Sequence, residues 1–291
     1  MRYVKNQPLT KALVLSLSPS AEIRVATGIE YDGSMFNGWQ KQSSPMLDTV
    51  QSELERALSQ IANTQITTIC AGRTDAGVHA TCQVAHFDSP IDRPERAWTR
   101  GVNSLLPSSV RVLWAKNVNQ QFHARFSATA RRYQYVIYQR KTASAIMKSR
   151  ATHVVKPLDV NAMNRAAQYL LGEQDFSVFR AAGCQSKSPF RRITMAAVSK
   201  RNGFIVFDIQ ANAFLQHMVR NIAGVLMEIG QGGRDPDWIN ELIACRDRTQ
   251  GGLTAAPDGL YMTGVEYPSD YSLPQCYEIP AFLQIAEQMK I

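Results

Sequence analysis

Apolar residues along this chain recur at two spacings, every second residue or every third to fourth, and the two spacings alternate in the same order twice. Alternation opens at 23–31, where Ile23, Val25, Thr27, Ile29 and Tyr31 share one face of a strand. The glycines of "YDGSMFNGWQKQ" mark a loop, and Val50, Leu54, Ala57, Leu58 and Ile61 predict a helix within 47–62, capped by Asp48 or Thr49. Strands follow at 65–70 and 78–87, then a helix over 93–107 stopped at Pro107, then a strand over 110–118. The second half runs through a strand at 131–139 and a helix from Asp159 to Gly172. A hairpin then turns on Asn202-Gly203, and a long helix over 213–229 and a strand over 259–268 complete the order. Strand, helix, strand, strand, helix, strand in each half predicts an α+β protein of two similar units, although no residue-level repeat accompanies the order. The expected boundaries are an N-terminal extension at 1–20, a first domain at 21–120, a second at 121–268 and a tail at 269–291, with the joint near 119–127.

Charge narrows the partner. Among 291 residues, 32 Lys and Arg exceed 24 Asp and Glu, and a net +8 suits a polyanion such as nucleic acid. Cys70, Cys82, Cys184, Cys245 and Cys276 are odd in number and dispersed, with no C-x-x-C. They predict neither a disulfide framework nor a zinc knuckle, and fit a reducing cytoplasm. "KALVLSLSPSA" near the start is too short and too broken by Ser for a signal sequence, and reads as a flexible extension. No apolar run reaches transmembrane length, so no membrane partner is expected.

The chemistry-bearing candidates are few. In "AGRTDAGVHA", Arg73 and Asp75 stand between small residues, where Gly72 and Gly77 let a ligand approach the backbone. A carboxylate so placed serves as nucleophile, base or metal ligand, or simply as a turn residue bonding its own backbone. The 213–229 helix, projected at 100° per residue, sets His217, Arg220 and Asn221 opposite an apolar arc, so Arg220 is a candidate partner for Asp75. Tyr133 in "ARRYQY" is either a core aromatic or a base-stacking one beside phosphate-binding Arg131 or Arg132, and Arg125 with Phe126 poses the same choice. Arg191 and Arg192 form a basic loop. His79 and His86, seven apart on a strand, face opposite ways and make a poor metal pair. With no H-E-x-x-H, G-x-S-x-G, Walker A or dinucleotide fingerprint, the sequence predicts a reaction without metal or cofactor. An RNA-binding protein without turnover and a metal-dependent nuclease stay open as alternatives.

Seven stretches taken together resemble the tRNA pseudouridine synthase A family: "YDGSMFNGWQKQ", "TVQSELERAL", "AGRTDAGVHATCQVAHF", "FHARFSATARRYQYVIY", "GEQDFSVFR", "NAFLQHMVRNIAGVL" and "TAAPDGLYMTGVEYP". They cover about residues 24–268 in the family's order. Gln174 and Gln216 depart from it, each standing where the family often has His.

The resemblance implies a pseudouridine synthase fold: two RRM- or ferredoxin-like α/β units joined through a mostly antiparallel mixed sheet with a central cleft. It implies an isomerase converting uridine to pseudouridine at positions 38, 39 and 40 of the tRNA anticodon stem-loop, without cofactor or metal. Asp75 matches the catalytic aspartate, Arg220 its paired arginine and Tyr133 the tyrosine that stacks on the target uracil. Arg73 matches an arginine that helps extrude the base, and Leu260 an apolar pocket wall. Arg131, Arg191 and Arg192 are expected to hold the RNA backbone. The implied assembly is a homodimer that grips one tRNA at its anticodon stem-loop and elbow.

Overall fold

In a computed structural model, residues 22–42 and 47–284 are described. The extension expected at 1–20 and the last part of the tail, 285–291, lie outside them.

Among the described residues ten strands form one sheet, and their order explains the cleft. β1 (Ile23–Tyr31) leads through a loop to α1 (Val50–Ala62), then β2 (Ile69–Cys70), β3 (His79–Ser89) and β4 (Val110–Val118). β5 (Ala130–Gln139) and β6 (Thr152–Val154) precede α2 (Val160–Gln168) and β7 (Gly172–Asp175). β8 (Phe190–Arg201) and β9 (Phe204–Ala211) make the hairpin, followed by α3 (Met218–Gly230), α4 (Trp238–Cys245) and β10 (Leu260–Glu266). The spatial order is β4-β1-β3-β10-β5-β9-β8-β7, with β2 on β3 and β6 on β5. Only β10 with β3 and β5 with β6 run parallel; every other pair is antiparallel. The last of these strands therefore sits at the centre and joins the halves.

Local chemistry accounts for most elements. Thr49 and Ser52 form a reciprocal capping box at α1, each side chain taking the other's backbone N–H. Asp159 caps α2 by accepting from Ala162 N at 3.0 Å. Asn202 and Gly203, at φ 49° and 81°, make the tight turn that the hairpin signal predicts. α2 packs against α3 and β8, and α3 against β5. A continuous apolar cluster runs through both halves, anchored by Trp39, Trp98, Phe87, Phe176 and Phe207.

Three expectations change. The helix expected over 93–107 shortens to an irregular one with a π-helical turn at Ala97–Gly101, whose Trp98 is buried against Phe87. The long helix begins only at Met218, because His217 before it adopts φ 61°. Cys82 on β3 and Cys276, which follows β10, meet with Cα atoms 5.6 Å apart and form a disulfide, where dispersed cysteines had suggested none. Strand order brings together residues that lie 194 apart in the chain.

His86 on β3 is buried, with Nδ1 accepting the Ala124 N–H at 3.1 Å. Burial first, then the positive charge of Arg24, pushes its pKa down to about 4 from 6.5. A depressed folded-state value means stability that is present above about 6.5 and lost as pH falls toward about 4. Denaturant titrations between pH 7 and pH 4.5 should therefore show the folded state losing up to about 3 kcal/mol. His86→Gln should flatten that slope. An equal slope in wild type and variant would remove His86 as its source.

Candidate active site

Asp75 occupies a turn that neighbouring backbone locks from two sides. Val78 N donates to Asp75 O at 3.1 Å, and Gly77 at φ 79° lets the chain double back to give its N–H to Phe36 O. From the other side Trp39 N donates to Thr74 O at 3.0 Å, and the buried Tyr31 hydroxyl meets Thr74 Oγ1 at 2.8 Å. Gly38 makes the approach possible: it sits at φ 86°, and a Cβ there would stand 2.6 Å from Thr74 O. The glycine-rich loop 31–42 thus braces the aspartate motif.

The aspartate faces α3. Arg220 Nη1 donates to Asp75 Oδ2 at 3.0 Å, while Arg220 Nε donates to Ala255 O at 2.9 Å. The 253–255 segment reaches the arginine because α3 carries Gly224 there, where a Cβ would overlap Leu253 O at 1.8 Å. His217 Nε2 also lies 3.4 Å from Asp75 Oδ2. Both partners address the same oxygen, and Oδ1 accepts no hydrogen bond from any described residue. One oxygen is held and the other is free to react.

These groups line a cleft of about 740 Å³. Tyr133, on β5, forms an almost wholly buried wall, packed edge-on against Phe214 with ring centres 5.1 Å apart. Burial pushes its phenol pKa up, so the ring carries its proton at neutral pH. Leu260, where β10 begins beside Tyr135 of β5, is a second apolar wall. Arg73 is exposed in the cleft, and its guanidinium has neither hydrogen bond nor ion pair among the described residues.

The other arginines divide sharply. Arg131 is buried, and its guanidinium donates to the carbonyls of Ala71, Ala128, Asn212 and Arg125. Those donors are spent inside the protein, so Arg131 shapes the wall from behind. Arg191 lines the cleft but is also buried, donating to Ser188 O, Phe190 O and Ser186 Oγ, with Nε unpartnered. Arg192 pairs with Glu173 at 2.9 Å on the exposed surface and does not line the cleft. Arg125, which does line it, has a guanidinium with no hydrogen bond or ion pair among the described residues, set over the Phe126 ring.

The helical projection set His217 beside Arg220 but gave it no role. Three-residue spacing was the available signal; the contact with Asp75 depends on a left-handed backbone that no periodicity encodes. His79 packs on Tyr261, with ring centres 4.6 Å apart, and its Nδ1 stands 3.1 Å from Gly33 N and 3.2 Å from Asp32 Oδ1. It buttresses the loop at 32–33 rather than the cleft. Gln174 turns back onto the carbonyls of Tyr169 and Leu171, whereas Gln216 lines the cleft. Among the described residues no three His, Cys, Asp or Glu side chains gather as metal ligands.

A family model described as tRNA pseudouridine synthase matches residues 29–127 and 166–268 of this chain. A protein of Aeromonas salmonicida named tRNA pseudouridine synthase A is 55% identical over 253 residues, covering 87% of this chain and 93% of that one. A Shewanella denitrificans protein of the same name is 52% identical over 261 residues, covering 90% and 99%. One from Klebsiella pneumoniae is 52% identical over 260 residues, covering 89% and 96%.

The bracing of Asp75 by loop 31–42 is testable without any substrate. Gly38→Ala should lower stability by about 2 kcal/mol or more, through an unfavourable φ and the clash with Thr74 O. Thermal melting reads this directly, and a variant that melts like wild type would mean the loop does not grip the motif as described.

Proposed function

Since the chain belongs to the tRNA pseudouridine synthase family, its reaction is the isomerisation of uridine to pseudouridine in tRNA, and we propose that Asp75 performs it as nucleophile at positions 38, 39 and 40 of the anticodon stem-loop. The observation that carries this reading is the Asp75 carboxylate itself. One oxygen is held by Arg220 at 3.0 Å and the other is open to a cleft walled by Tyr133 and Leu260.

The reaction rearranges one nucleoside. The N1–C1′ bond breaks, a C5–C1′ bond forms, C5 loses a proton and N1 gains one. Nothing is oxidised, so the exchange balances without a cofactor. Asp75 Oδ1 supplies the electron pair that starts it, while Arg220 holds the carboxylate in register. A target base in a stem must leave its stack, at a cost of a few kcal/mol. Arg73, without a hydrogen bond or ion pair among the described residues, fills the space it leaves and meets phosphate, and Tyr133 lies against the extruded uracil. The detached uracil has to rotate without escaping, a task that suits apolar walls such as Tyr133 and Leu260 better than fixed hydrogen-bond donors. Arg191 lines the cleft, but its guanidinium is buried, Nε included, so it would have to turn outward before holding RNA. Arg131 acts by shaping the wall. Arg192 would need to release Glu173 before holding RNA. Two copies gripping the stem-loop and elbow of one tRNA, in the cytoplasm, complete the proposal. The net +8 favours such a polyanion, and no helix among the described residues is long and apolar enough to cross a membrane.

Tritium release from tRNA labelled at uridine C5 tests the assignment. Asp75→Asn and Asp75→Ala should lose turnover by ~1,000-fold or more while binding tRNA nearly as tightly as wild type. Substantial turnover by either would sink the nucleophile. Arg220→Lys should fall ~100-fold or more, because a single ammonium cannot serve Ala255 O and Asp75 in the geometry of the fork. Wild-type turnover should persist in EDTA; its loss there would favour metal-dependent chemistry instead.

A further inference from the structure

We propose that Phe126, with Arg125 beside it, forms a second nucleotide subsite at the mouth of the cleft, where an unpaired nucleotide neighbouring the target uridine stacks on the Phe126 ring. The proposal rests on the reading of the Asp75 cleft as a tRNA site and extends it outward.

Phe126 is the most exposed aromatic side chain among the described residues, at 76% of its surface. Isolated exposed apolar residues are common on proteins, and exposure alone says little. What sets this one apart is its mount. His123 Nδ1 accepts the N–H groups of both Arg125 and Phe126 at 3.2 Å. Ser127 N donates to His123 O at 2.9 Å, and His123 N to Ser127 Oγ at 3.0 Å. Three other elements complete the fixing: His86 of β3 takes the Ala124 N–H, the Tyr267 hydroxyl donates to Ala124 O at 2.7 Å, and Arg131 of β5 holds Arg125 O. Side chains from across the sheet thus satisfy the turn's backbone, while its most apolar side chain points to solvent. Its ring contacts among the described residues are with His123 and Arg125 of the same turn.

The ring's surroundings favour a nucleotide. His123 backs Phe126, with ring centres 4.3 Å apart and planes 29° from parallel, so the platform is already flat and supported. Arg125 lies over the same ring at 5.6 Å and also lines the cleft that holds Asp75. Its guanidinium has no ion-pair partner among the described residues and is free to meet a phosphate. An aromatic face paired with a free cation suits a stacked base and its phosphate, whatever the base. Continuity with the cleft sets the occupant as the substrate's own strand, next to the uridine drawn into the pocket. The stacking contact compensates part of the cost of unstacking that neighbour.

The test uses full-length protein and a tRNA transcript carrying 2-aminopurine at either neighbour of the target uridine. Wild type should change the probe's fluorescence on binding at one of the two positions. Phe126→Ala should abolish that change and raise the Kd for tRNA about 5- to 100-fold, whereas Phe126→Trp should retain both. Arg125→Ala should reduce the slope of log K against log salt by about one, the signature of one lost phosphate contact. Circular dichroism melts establish that each variant is folded. Unchanged probe response and affinity in Phe126→Ala would overturn the subsite. So would a change of sedimentation coefficient in that variant, which would assign the ring to contact with a second copy of the chain. Wild-type tritium release, measured separately, reports on the Asp75 reading, so failure of the subsite and failure of that reading are distinguishable.

Discussion

β10 hydrogen-bonds to both halves of the molecule, running parallel to β3 at Tyr261 and Met262 and antiparallel to β5 from Leu260 to Glu266. Everything at the cleft depends on that double pairing. Asp75 comes from the turn ahead of β3, Tyr133 from β5 and Arg220 from the helix after β9, while Leu260 begins β10 itself. Without a strand shared between the halves, the 3.0 Å contact between Asp75 and Arg220 would have to hold two separate domains in register alone. A partly exposed ion pair is worth too little for that. The sheet fixes the geometry, and the ion pair then has only to orient a carboxylate.

Within that frame, the arginines show how the same side chain serves two ends. Arg131 and Arg220 each bind a backbone carbonyl, and so join segments distant in sequence: 71 with 125, 128 and 212, and 220 with 255. Arg73 and Arg125 make no such bonds and remain available to a phosphate. The distinction matters because a polyanion is held by cations with donors to spare, whereas a buried guanidinium already satisfied by carbonyls stays where it is. The Asp75 carboxylate divides in the same way, with one oxygen engaged by Arg220 and His217 and the other open.

Much of this was legible before the fold. Strand patterns located β1, β4, β5, β9 and β10; Asn202-Gly203 gave the hairpin and Asp159 the start of α2. The start of α1 was narrowed to Asp48 or Thr49, of which the fold uses Thr49. Asp75, between two glycines, could by itself have been a plain turn residue; the candidate partner Arg220 and the family motif made it stand out. The misses have physical causes. The helix near 97–101 contains a π turn built around buried Trp98, and local propensity does not distinguish that from an α-helix. His217 ends the preceding loop at φ 61°, so a projection that began at 213 treated a loop as helix. Arg131 looked like a phosphate ligand because "ARRYQY" carries no record of which carbonyls surround it. Cys82 and Cys276 became neighbours only through strand order.

The sequence alone determined the alternation of elements, the cationic surplus and the family motifs that single out Asp75, Tyr133 and Arg220. Each of these is written in residue types and short spacings, which need no partner to be read. Only the tertiary structure decided that the last strand enters the middle of the sheet, which oxygen of Asp75 is free, which arginines are spent and that His217 reaches the carboxylate. Those are relations between segments far apart in the chain, 145 residues in the case of Asp75 and Arg220 and more for β10 on β3. Chain closure and packing set them, and no local pattern encodes either.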